Sequence, residues 1–285
     1  MKITVSSISL KTWIAENSQL AAIQKVKELG SDSIAFSSII PHDGSTEAQY
    51  SEKLRLECEK QNMTISDYVF SADFIDGSDG DTNREIARIK QQIDIAEILG
   101  VKIIRHDACY GRSIRSFEKA LPILARGCAE VADYAAKKGI RTTVENHGFF
   151  CQGSERVVQL FQAVDHENFG LLCDIGNFLC FDEDPLEAVT RVAPYTIHAH
   201  AKDFLFKSGS ETNPGYGFFH TRGGNYIRGT ILGHGIVPVT QCLAILKRAG
   251  FDGYVGLEYE GQRCEDALTG VQLSVENLKR FLTLI

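Results

Sequence analysis

Residues 140–147 read Ile-Arg-Thr-Thr-Val-Glu-Asn-His, and three later stretches share their form. They are Phe-Gly-Leu-Leu-Cys-Asp-Ile-Gly-Asn at 169–177, Thr-Ile-His-Ala-His-Ala-Lys-Asp at 196–203 and Gly-Tyr-Val-Gly-Leu-Glu-Tyr-Glu at 253–260. Each is a short run, mostly apolar and too brief for a helix, that ends in a carboxylate or an imidazole. Upstream, 2–6, 33–37, 64–70 and 101–105 have the same strand-like character. Longer amphipathic stretches separate them, near 18–29, 46–61, 82–99, 114–138, 154–164, 184–192, 237–249 and 265–284. Ile86, Ile89, Ile93 and Ala96 recur at helical spacing, as do Val271, Val275, Leu278 and Leu282. Gly30, Gly100, Gly139 and Gly250 each fall between a helix and the next strand, where a left-handed turn stops a helix.

Strand and helix in strict alternation imply a parallel sheet. Eight such units in 285 residues fit a closed (β/α)8 barrel, the TIM barrel, as a single domain over 1–285. An open dinucleotide-binding sheet needs a glycine-rich turn after the first strand, and that turn here is Ser6-Ser7-Ile8-Ser9. One long glycine-rich stretch, 204–235, reads as irregular and follows the seventh strand directly. A loop of that length in a compact domain suggests a lid over the barrel mouth.

Composition narrows the class. Hydrophobic residues make up 44% and charged residues 24%, enough for a large core under a polar surface. No apolar run is long enough to span a membrane, and the start reads as a strand instead of a signal peptide. The eight cysteines form no CxxC pair, which points to a reducing, cytoplasmic setting. A net charge of −7 without a basic stripe argues against nucleic acid as a partner.

Chemistry in such barrels sits at the C-terminal strand ends. There the sequence places Glu145, Asp174, His200 and Glu258, spaced by 29, 26 and 58 residues. The first two intervals are about one strand-helix unit each, and the third is one unit plus the long stretch. Alternation turns Thr143 with Glu145, and His198 with His200, to the inside. Three carboxylates meeting at one point would repel each other, and a divalent cation removes that cost. The oxygen-rich set suits one manganese or magnesium ion, with cobalt or zinc also able to bind.

These residues resemble the sugar phosphate isomerase/epimerase family of xylose-isomerase-like barrels. The likeness rests on Val-Glu-Asn-His at 144–147, Cys-Asp-Ile-Gly at 173–176, His-Ala-Lys-Asp at 200–203, Gly-His-Gly at 233–235 and Gly-Leu-Glu at 256–258. It implies that Glu145, Asp174, His200 and Glu258 bind the metal. It also implies that Glu145 and Glu258 flank the substrate as an acid/base pair. Many members carry a histidine three residues after the strand-six aspartate, where this chain has Asn177. A nuclease of the same superfamily needs that histidine and others that are missing here.

The expected function is therefore a metal-dependent isomerase or epimerase of a ketose or related polyol, working through an enediolate. The alternative on the same site is a dehydratase of the inosose or dehydroshikimate type. A non-catalytic sugar-binding subunit is the third reading. His147, Lys202, His106, Trp13 and Asn177 are the candidate substrate contacts. His198 is expected one layer deeper, as a core histidine with its hydrogen bonds made. Tyr216, Phe218, Phe219, His220 and Arg222 of the long stretch can serve a lid or a homo-oligomer interface.

Overall fold

The computed structural model describes residues 1–261 and 266–285. Eight parallel strands close into a barrel: β1 (Lys2–Ser6), β2 (Ser33–Ser37), β3 (Thr64–Phe70), β4 (Ile103–His106), β5 (Arg141–Glu145), β6 (Phe169–Asp174), β7 (Thr196–Ala201) and, last in the chain, β11 (Tyr254–Leu257). Neighbours in sequence are neighbours in the wall, and β11 pairs with both β7 and β1. The outer ring is α2 (Gln19–Glu28), α3 (Glu47–Lys60), α4 (Thr82–Leu99), α5 (Phe117–Ala136), α6 (Ser154–Val164), α7 (Pro185–Val192), α8 (Val239–Arg248) and α9 (Ala267–Leu282). A further short helix, α1 (Lys11–Glu16), follows β1 and covers part of the mouth. Six residues show no helical period, which is why the sequence alone does not announce it.

Local chemistry sets the helix starts. Asp81 accepts hydrogen bonds from the amides of Asn83 and Arg84 to begin α4, and Thr46 forms a reciprocal box with Gln49 at α3. The apolar stripes then bury against the barrel; Ile86, Ile89, Ile93 and Ala96 of α4 are all in the core. The seven described cysteines are buried and unpaired; Cys264, and the 265 start of the last expected helix, lie outside the described residues. No described helix is long and apolar enough to cross a membrane.

The stretch 204–235 is irregular only in part. Its ends and middle carry a three-stranded antiparallel sheet with β10 (Tyr226–Thr230) between β8 (Asp203–Lys207) and β9 (Phe219–His220), joined by turns and loops. Phe204, Ile227 and Cys180 form a small core of their own beneath it. The eye reads loop because glycines punctuate strands too short to show alternation. Asp203 anchors its far end, accepting amide hydrogens from Gly233, Gly235 and Val237 at 2.8–3.0 Å. The Lys-Asp and Gly-His-Gly motifs thus meet as carboxylate and cradle, and His234 is exposed, a loop residue.

Candidate metal centre and active site

The four strand-end residues do converge. One ligand atom from each of Glu145, Asp174, His200 and Glu258 lies within 4.8 Å of all the others. Register explains it: Glu145 stands opposite Leu172, Asp174 opposite His200, and His200 opposite Gly256, so inward positions climb together around the wall. Gly256 has a steric task here. A Cβ at that position would come 2.7 Å from Cδ2 of His200, so the ring can occupy its place only beside glycine.

Both glutamates have partners on each oxygen, whereas Asp174 and His200 keep atoms without a hydrogen bond. Oδ1 of Asp174 accepts from the amides of Gly176 and Asn177 at 2.8 and 3.1 Å, while Oδ2 makes no hydrogen bond. Neither ring nitrogen of His200 makes one, although the ring is fully buried. Its Nδ1 has only the carboxylate oxygens of Glu258 and Glu145 near it, at 3.4 and 3.7 Å, and Nε2 makes no hydrogen bond, so a nitrogen remains for a further group. The donor set of three carboxylates and an imidazole, with these atoms left over, fits a divalent cation.

Two buried cations share the site. Lys202 Nζ lies 3.1 Å from Asp174 Oδ2, 2.7 Å from Glu258 Oε2 and 2.9 Å from Glu260 Oε1. Burial opposes its charge, but those carboxylates outweigh burial and hold the ammonium well above its usual pKa. Arg105 Nε lies 2.6 Å from Glu145 Oε2, and its Nη2 2.9 Å from Asp107 Oδ1. Burial would raise the pKa of Glu145, yet Arg105 and then His200 overcome it and keep the carboxylate ionised, well below the usual range. Asp174 goes the other way: burial, with Glu145 and Glu258 nearby, lifts it to about 6 against the pull of Lys202. For His200, burial is overridden by Glu258 and Glu145, and its pKa stands at about 9.

A cavity of about 210 Å³ opens over these groups, walled by Arg105, Asp107, Tyr110, Glu145, His147, Lys202, Glu258 and Glu260 on one side and by Ile8, Ser37, Val69 and Phe70 on the other. His147 is at its edge, with 39% of the side chain exposed. Its Nδ1 lies 2.8 Å from Asp107 Oδ1, and Tyr110 Oη donates to Asp107 Oδ2 at 2.7 Å. Burial disfavours the imidazolium, but Asp107 outweighs burial and raises the pKa of His147. Asp107 thus orients the imidazole through Nδ1, an arrangement suited to an acid/base group.

The other expected contacts separate. Lys202 lines the cavity. Asn177 does not line it; its Nδ2 donates to Glu145 Oε1 at 2.9 Å, so it orients a ligand instead of touching substrate. Trp13 stands half-buried on α1 with Lys25 over its ring and is not in the wall. His106 is fully buried and outside the cavity. It stands opposite Val144, whereas Arg105 stands opposite inward-facing Thr143, so the inward residue of strand four is Arg105. His106 packs between Phe70 and Phe74 and its Nδ1 lies 2.8 Å from the carbonyl of Asp107.

Arg105 and Asp107 were not among the sequence candidates. Their signal is a charged residue at alternate positions in and after a strand whose neighbours are apolar. His198 is deep in the barrel as expected, but neither ring nitrogen makes a hydrogen bond; Nε2 lies 3.3 Å from Asp67 Oδ1. Asp67 reaches it through an irregular register in β3, where two residues, Ser66 and Asp67, face the single Ala35 of β2.

The model of the xylose isomerase-like TIM barrel matches residues 23–281. The chain belongs to this family. Among curated proteins, an inosose dehydratase of Lacticaseibacillus casei is 25% identical over 140 residues, 48% of this chain and 46% of that protein. The curated relatives it matches are thus covered over less than half their own length. Among xylose isomerase-like barrels of known structure, D-psicose 3-epimerase with D-tagatose from Clostridium cellulolyticum H10 superposes with a TM-score of 0.75 at 15% identity, over 99% of both chains. A barrel protein from Mycobacterium smegmatis in complex with magnesium gives 0.74 at 20% identity, over 99% of this chain and 96% of that one.

Proposed function

We propose that this protein is a metal-dependent lyase that removes water from a ketose, inosose or related polyol. The observation that carries this reading is the His147–Asp107 pair at the rim of a cavity that reaches Glu145 and Glu258 of the four-residue cluster. Glu145, Asp174, His200 and Glu258 would hold one divalent ion, magnesium or manganese by their oxygen-rich chemistry. When bound, the ion supplies Lewis acidity that lowers the cost of removing a proton beside a carbonyl.

The protein's own groups do the rest. Neutral His147, its tautomer fixed by Asp107, takes the proton from the carbon next to the carbonyl. The electron pair left behind forms the carbon-carbon double bond as the β-hydroxyl departs. His147 then returns its proton to that hydroxyl, which leaves as water. Against the effect of burial, Arg105 lowers the proton affinity of Glu145 and Lys202 that of Glu258, so neither glutamate takes up the substrate proton in place of His147.

The expected isomerase or epimerase remains the second reading. It is favoured by Glu145 and Glu258 meeting at one point from different strands, the placement needed to move protons on opposite faces. Purified protein, analysed for metal and then charged with manganese, would be offered ketoses and inososes in deuterated water. An absorbing enone product with loss of water supports the lyase. Deuterium in recovered or epimerised sugar, with no water lost, overturns it in favour of the second reading.

A further inference from the structure

We propose that the barrel mouth holds a second subsite, an apolar groove that receives a hydrophobic substituent carried by the substrate. This rests on reading the catalytic cavity as a polyol site. That cavity, at about 210 Å³, has room for one sugar-sized unit. Beside it lies a larger groove of about 390 Å³, lined by Ile8, Lys11, Ile14, Ala15, Ile40 and His42. The two are adjacent: Ile8, Ser37 and Ser38 line both.

The groove is built rather than incidental. One wall is α1, which contributes Ile14 and Ala15; the other is the segment after β2. Gln19 ties that segment down with both ends of its amide: Nε2 donates to the carbonyl of Ser38 at 2.7 Å, and Oε1 accepts from the amide of Ile40 at 2.9 Å. Ser38 between them adopts a left-handed φ of 56°. The backbone of Ile40 is thereby fixed, while its side chain stands 54% exposed. An apolar side chain held open to water at the edge of a pocket gains from a ligand that covers it.

Charge divides the two spaces. The wall of the catalytic cavity includes six charged side chains, Arg105, Asp107, Glu145, Lys202, Glu258 and Glu260, beside the apolar Ile8, Val69 and Phe70. Among the described residues, none of those lining the groove is a carboxylate. The junction is close to the chemistry: Ser6 Oγ lies 3.5 Å from Glu258 Oε1 and 3.3 Å from Ser37 Oγ. A substrate fitted to both would place hydroxyls over the charged cluster and an alkyl or aryl substituent, about the size of a phenyl ring, along α1. The assigned ligand class is a sugar or polyol with an apolar appendage.

Binding of methyl, n-hexyl and phenyl β-D-glucopyranosides to the manganese-charged protein, measured by calorimetry, tests this. The hexyl and phenyl compounds should bind about tenfold or more tighter than the methyl compound. Ile40→Glu and Ala15→Glu, both at exposed positions, should abolish that advantage and leave methyl glucoside affinity unchanged. Equal affinity for all three in the wild type overturns the subsite while leaving the polyol reading intact. So does an advantage that persists in both variants. Hexyl binding that needs Ile40, without any methyl glucoside binding, supports the groove. No binding by any of the three overturns the subsite, whereas absence of any ketose or inosose turnover in the assay above overturns the polyol reading.

Discussion

Arg105 Nε lies 2.6 Å from Glu145 Oε2, so a metal-ligand candidate begins with a guanidinium already on one of its oxygens. The same guanidinium holds Asp107, the partner of His147. One buried cation therefore links the four-residue cluster to the His147–Asp107 pair. Removing it strands two buried carboxylates. Arg105→Leu should cost about 3–5 kcal/mol in metal-free protein, the range for breaking a buried ion pair. A divalent cation replaces part of the lost charge, so manganese should stabilise the variant more than it stabilises the wild type. Urea unfolding with and without manganese measures both. Equal metal stabilisation in the two proteins contradicts the electrostatic link.

The dyad makes a pH prediction. Asp107 holds the pKa of His147 above the ordinary histidine value, and the base form is the neutral ring. Activity should therefore rise with pH through that raised pKa. Asp107→Asn removes the support and leaves Arg105 nearby, which lowers the pKa of His147. The acid limb of the kcat/KM profile should move to lower pH while the plateau falls. His147→Gln should lower kcat by about 10²–10⁴-fold, the usual range for an acid/base group. An acid limb unmoved in Asp107→Asn would assign that limb to another group.

The barrel and the convergence of its strand-end residues were legible because both depend on period. Strand-end residues one strand-helix unit apart must land on adjacent strands, and Glu145, Asp174 and His200 needed nothing more. What period cannot show is a slip of one residue or a contact across the barrel. His106 and Arg105 are neighbours in sequence, and only the pairing of β4 with β5 says which of them faces inward. The doubled Ser66–Asp67 in β3 is equally invisible until strands are paired. The sheet in 204–235 was missed because its task is long-range. Gly229 of β10 backs onto Glu260, where a Cβ would stand 2.6 Å from the carbonyl carbon, and Glu260 pairs with Lys202. Such packing leaves in the sequence only a glycine, which reads as a break.

His106 should show in acid stability instead of catalysis. It is fully buried, and burial depresses its pKa to about 4 against an ordinary value near 6.5. A depressed folded-state pKa gives stability that is complete above pH 6.5 and is lost as pH falls toward 4. Between pH 8 and pH 5 this residue alone should cost the protein about 2 kcal/mol. His106→Leu removes that dependence, so its unfolding free energy should fall by about 2 kcal/mol less over the same range. Parallel curves for variant and wild type between pH 5 and pH 8 would show that His106 already carries a proton in the fold.

Metal binding should expel protons in numbers set by the same cluster. In the metal-free site burial opposes the charged ring of His200, but Glu258 and Glu145 prevail and place its pKa at about 9. At pH 7.5 the ring is therefore protonated, and a cation must displace that proton to reach the nitrogen. Asp174, lifted to about 6 by burial and by the two glutamates, is by then ionised and releases almost nothing. Manganese binding at pH 7.5 should release close to one proton, read from calorimetric heats in buffers of different ionisation enthalpy. The apparent affinity should climb about tenfold per pH unit from 6 to 9 and then level, with a steeper fall below 6 as Asp174 also takes a proton. His200→Gln should bind more weakly and lose the slope above pH 6. Binding with no proton release at pH 7.5, or a slope that survives in His200→Gln, means that the imidazole is not a ligand.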